Sequence, residues 1–217
     1  MGIGHIALGF AAKRWVSRVP LALLVLAATF VDVLWGAAVL VGIEHARIVP
    51  GITKAMPVDL YDYPYTHSLL AGILWALVFG GIYFIVRQYR AGAVMLGLLV
   101  LSHWVLDFVS HRPDMPIFAN GPYLGLGLWN SVPASIVVEE AMAVLGVLLY
   151  LRATRARSAA GRWGLAAFVA VMLVMGVAGY LGPPPPSVTP LAAFNLLSLV
   201  LVLVLHAIDR QRDPVAA

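Results

Sequence analysis

Cysteine is absent from the 217-residue chain, which excludes disulfides and thiolate-bound metals. Charge is scarce as well. Only 11% of residues are Asp, Glu, Lys or Arg, against about one quarter in a soluble globular domain. Basic and aromatic residues do not interleave as a nucleic-acid surface requires, so no nucleic-acid partner is expected. What fills the chain is apolar: 62% of residues are hydrophobic, in long continuous runs. Lipid leaves every backbone polar group to be satisfied internally, and long runs without alternation select helices over a closed barrel. The predicted fold is an all-α polytopic membrane helix bundle.

Six spans are readable, at 20–43, 66–87, 91–110, 134–152, 163–182 and 190–208. Each is close to the roughly 20 residues that a bilayer core needs. No linker or internal repeat divides them, so residues 1–217 are read as a single integral-membrane domain. The apolar run from Leu21 continues past Asp32 to Val41, too long for a signal-peptide core, and no cleaved signal is expected. Ahead of it, GIGHIALGFAA is too short to span. It either lies on the membrane surface or enters part-way as a half-helix. Its apolarity and lack of charge favour the half-helix.

Basic residues gather in alternate connections: Lys13, Arg14 and Arg18; Arg87 and Arg90; Arg152, Arg155, Arg157 and Arg162; Arg210 and Arg212. The other connections hold only Arg47, Lys54 and Arg112. The positive-inside rule then places the amino-terminal basic cluster and the C-terminus in the cytoplasm. A bacterial cytoplasmic (inner) membrane is the expected location, with membrane lipid as the surrounding partner.

The span interiors lack Lys and Arg, yet they contain Asp32, Asp107, Glu139 and Glu140. Each ionised acid at the centre of a span costs about 2.5–3.5 kcal/mol on insertion scales. Either the acids are protonated or a bound cation offsets them. Histidine at the same depth favours the cation. At ~1.5 Å rise per residue, Asp32, His103, Glu139 and Glu140 lie about 18–20 Å from the basic end, and Asp107 about 24 Å. His67 and His111 lie about 30 Å away, and His5 about 12 Å above Lys13 if its segment enters the membrane. In HWVLDFVSH, steps of four place His103 and Asp107 on one helix face, with His111 continuing the stripe. Imidazole and carboxylate without thiolate suit zinc, manganese, iron or nickel, with zinc first.

GHIALGF, the Asp of TFVDVLW, YTHSLL and SHWVLDF together resemble the YdjM-like membrane-bound metal-dependent hydrolases. The resemblance covers roughly the first half of the chain. A more distant similarity is to zinc-dependent phospholipase C and related single-strand nucleases, in the order His5, Asp32, His67, His103, Asp107, His111. The chain differs from both. Asp32 stands alone where the first group has a paired acidic motif, and the second His-x-x-x-acid pair of the phospholipases is missing. The resemblance implies a divalent metal centre of one or two ions and a hydrolase acting on a lipid or phosphoester.

On that reading His67, His103 and Asp107 are first ligands, and His5, Asp32 and His111 complete the site or bridge to a second ion. The catalytic carboxylates are Asp107 and Glu139 or Glu140, the latter pair pointing about 100° apart. Two other readings stand beside it. Intramembrane acids and histidines also serve transporters as metal or proton relays. A metal can also staple helices in a membrane subunit without catalysis. The remaining histidines, His45 and His206, are read as outside the site. The tyrosines of YDYPY and the Trp and Tyr of GPYLGLGLWN are read first as interfacial anchors, with pocket lining as the lesser alternative.

Overall fold

The computed structural model describes residues 1–215. It is a bundle of helices, six of them long and apolar enough to cross a membrane. Helix α1 (Ile3–Ala12) is the short amino-terminal element. The spans are α2 (Leu21–Leu40), α4 (Leu69–Arg87), α5 (Arg90–Ser110), α6 (Val132–Ala153), α7 (Ala159–Leu181) and α8 (Val188–Asp209). These boundaries follow the apolar runs to within a few residues. Large apolar side chains stay exposed along them, among them Leu77, Ile85, Val174 and Leu203. An exposed apolar surface of that extent belongs in lipid.

Between α2 and α4 the chain does more than turn. Strands β1 (His45–Ile48) and β2 (Val58–Asp62) pair as an antiparallel hairpin, followed by one helical turn, α3 (Pro64–His67). The span expected at 66–87 is thus broken. Ser68 adopts an extended backbone and accepts a hydrogen bond from Ala71 N at 3.1 Å, capping α4. His67 is left on α3, outside the long helix. Further short pairings are β3 (Met115–Pro116) with β4 (Tyr123–Leu124), and β5 (Thr154–Ala156) with β6 (Arg212–Pro214).

Helix α1 does enter the bundle. It packs between α2 and α6 and touches α5, with His5 and Phe10 buried. Glycines allow the approach. A Cβ on Gly146 of α6 would collide with the Ala7 carbonyl, and one on Gly9 would come within 2.7 Å of Val25 Cα. At the basic end, Asp209 ties the elements together. It accepts from Lys13 Nζ at 2.9 Å, from Leu21 N at 2.9 Å and from the Tyr150 hydroxyl at 2.8 Å.

Candidate metal centre

Helices α1, α2, α3 and α5 converge on one carboxylate, Asp107. The four-residue stripe on α5 sets the first contacts. His103 Nε2 lies 3.1 Å from Asp107 Oδ2, and His111 Nε2 lies 3.8 Å from the same oxygen. The break before α4 turns His67 inward, its Nε2 3.7 Å from Asp107 Oδ2 and 3.8 Å from Asp32 Oδ1. Asp32, from the middle of α2, is also 3.7 Å from His103 Nε2. On the other side, His5 Nε2 lies 3.2 Å from Asp107 Oδ1, and the His5 ring stacks on that of His103 with centroids 3.8 Å apart. The Met1 ammonium also contacts Asp107. His5, Asp32, His67, His103, Asp107 and His111 are therefore one cluster. Two subsets bring their ligand atoms within 4.8 Å of one another: His5, His103 and Asp107, and Asp32, His67 and His103.

Proton placement within the cluster is informative. His103 Nδ1 lies 3.1 Å from the Ala28 carbonyl, which can only accept, so the ring proton is on Nδ1. His111 Nδ1 lies 3.0 Å from Asp114 Oδ1. That carboxylate is also paired with Arg112, so it too accepts. With each Nδ1 so occupied, both Nε2 atoms face the oxygens of Asp107, as lone-pair donors in the neutral rings or as N–H donors in imidazolium rings. Neutral rings would set lone pairs against lone pairs at this range, a repulsion that a proton on Nε2 or a bound cation relieves. His103 Nε2 is buried and has no hydrogen-bond partner among the described residues. Even with the Met1 ammonium, two carboxylates, Asp32 and Asp107, share the cluster. The residues present fit a divalent metal.

The surroundings differ from what the sequence suggests. Tyr63 of YDYPY is buried rather than interfacial. Its ring lies against those of His67 and His111, and its hydroxyl donates to the Asp114 carbonyl at 2.9 Å. Burial and the negative charge of Asp114 push that phenol well above its ordinary pKa, so it stays a donor. Trp129 likewise packs on His111, with centroids 4.2 Å apart, instead of facing the interface. Arg112 is held by Asp59 and Asp114.

The adjacent glutamates separate. Glu139 is buried, and its Oε2 accepts from Gly2 N at 2.9 Å and Gly4 N at 3.1 Å, while the Tyr180 hydroxyl donates to Oε1. It acts as the cap of α1. Glu140 is half-buried, its carboxylate lying over Gly176 of α7. His45 pairs with Asp62 across the hairpin, away from the cluster.

Sequence reasoning missed Glu44 and Asp114. Glu44 is 1% exposed and accepts from Tyr65 N, Thr66 N and the Thr66 hydroxyl. Asp114 follows His111 by three residues, a spacing that a turn brings into contact. Glu44 sits in a loop, where spacing says nothing of contact. No protein-family model, curated protein or solved structure matches the chain.

Proposed function

We propose that the protein is a membrane-embedded, metal-dependent hydrolase of the YdjM-like group, acting on a lipid or phosphoester. The observation that carries this reading is the convergence of imidazole Nε2 atoms on the carboxylates of Asp107 and Asp32 inside an apolar bundle. His67, His103, His111 and Asp107 would hold a divalent ion, zinc first by donor chemistry, with Asp32 beside them. His5 faces the other Asp107 oxygen, where a second ion would have to displace the Met1 ammonium. A metal ion bound in the cluster would supply a water with a pKa of about 7 and would polarise a phosphoryl or carbonyl oxygen.

The chain's own residues set the remaining terms. The Asp32 side chain is 28% exposed while that of Asp107 is 3% exposed, so Asp32 is the more accessible of the two carboxylates. Substrate would approach on that side, where Asp32 would accept a proton from the attacking water. Glu139 orients α1, and with it His5, rather than acting as base. The bundle lies in a bacterial inner membrane with its basic end cytoplasmic, which places the cluster toward the opposite face.

Purified protein in lipid nanodiscs tests the reading through metal content and hydrolysis of phospholipid and phosphodiester probes. Wild type is expected to retain zinc and to release product. His103→Ala is expected to lose both. Full metal content in His67→Ala, His103→Ala and Asp107→Ala alike contradicts the site. Metal without hydrolysis of any probe favours a helix-stapling ion.

A further inference from the structure

His67 carries a ring proton whose place its nearest neighbour does not settle. Its Nδ1 lies 2.7 Å from Thr66 Oγ1, a hydroxyl that can donate or accept. The same hydroxyl lies 2.6 Å from Glu44 Oε2. It has one proton to give and two neighbours.

We propose that Glu44 is a positioning residue which, through the Thr66 hydroxyl, fixes the His67 proton on Nδ1 and leaves Nε2 free to bind a metal. All the contacts of Glu44 are with donors. Its Oε1 accepts from Tyr65 N at 2.8 Å and from Thr66 N at 2.9 Å. With Oε1 filled by backbone N–H groups, Oε2 takes the Thr66 proton. The Thr66 oxygen is then left to accept, and only Nδ1–H of His67 can supply it. The two bonds run one way, from His67 to Thr66 to Glu44. Carboxylates commonly orient metal-binding histidines by accepting their other ring proton. Here the carboxylate acts through a hydroxyl, from a residue 23 positions away. The hairpin brings Glu44 into place, because it returns the chain to the end of α2 just before α3 begins.

Glu44→Gln tests this sharply. Two backbone N–H groups require an oxygen at the Oε1 position, so the Gln amide nitrogen must face Thr66. It donates to the Thr66 oxygen, and the Thr66 proton turns to His67 Nδ1. The ring proton then moves to Nε2 and blocks the ligand position. The experiment is long-range 1H–15N correlation on histidine-labelled, metal-free protein in nanodiscs, with zinc affinity measured alongside. Wild-type His67 is expected protonated at Nδ1, and Glu44→Gln protonated at Nε2 with zinc affinity lowered about 10–100-fold. Thr66→Ser is expected to match wild type, and Thr66→Val to lose zinc affinity to a similar degree. A Glu44→Gln protein with His67 still protonated at Nδ1 overturns the proposal. If that variant does not fold, equal zinc affinity in Thr66→Val and Thr66→Ser overturns it instead. The zinc half rests on the metal-centre reading, and the tautomer half does not. A wild type that binds no zinc, with the tautomer inverted in Glu44→Gln, therefore defeats the metal reading and supports the role of Glu44.

Discussion

Glu139 and Glu140 are neighbours in sequence and opposites in environment. The first takes two backbone N–H groups and a phenol; the second faces α7. Removing the acceptors from buried donors costs about 1–3 kcal/mol. Glu139→Ala is therefore expected to lower the melting temperature in detergent clearly, while Glu140→Ala stays within about 0.5 kcal/mol of wild type. Equal melting temperatures would contradict the capping role. The His103–Asp107–His111 stripe was legible because helical periodicity alone brings those side chains to one face. The acid budget was legible only in part. Counting four unpaired acids overlooked what α1 supplies, since its first N–H groups offset Glu139. Glu44 was not legible at all, since its partners lie 21 and 22 residues away, across a hairpin that hydropathy does not reveal.

Among the elements, α1 has the most leverage on the cluster. It carries His5 and reaches α6 through Gly146. Gly146→Leu is expected to push α1 away and to reduce zinc retention several-fold. Gly81→Leu, on α4 where a new Cβ meets nothing within 4 Å, is expected to leave it unchanged. Metal analysis of both purified variants decides the matter, and equal retention would detach α1 from the site. The long helices were legible because a continuous apolar run of about 20 residues has few alternatives in lipid. The break at Ser68 was not. Thr66, His67 and Ser68 lie at the edge of an apolar run, where hydropathy cannot separate one helical turn from the next.

For the whole molecule, the proposed orientation rests on basic residues gathered at one end. The chain's lack of cysteine makes that testable with single thiols. Ser17→Cys at the basic end is expected to react with an impermeant maleimide only once the cytoplasmic side is opened. Ser187→Cys, before α8 at the other end, is expected to react from outside, and the reverse pattern would invert the bundle. The proposed function stands on the binding of a cation at Asp107. Zinc stoichiometry and X-ray absorption of wild-type protein in nanodiscs test it most directly. The expected result is one or two zinc ions per chain, bound only by nitrogen and oxygen at about 2.0–2.2 Å, and lost in His103→Ala. A folded wild type that binds no divalent metal, or that holds the same ion in the same shell without His103, would contradict it.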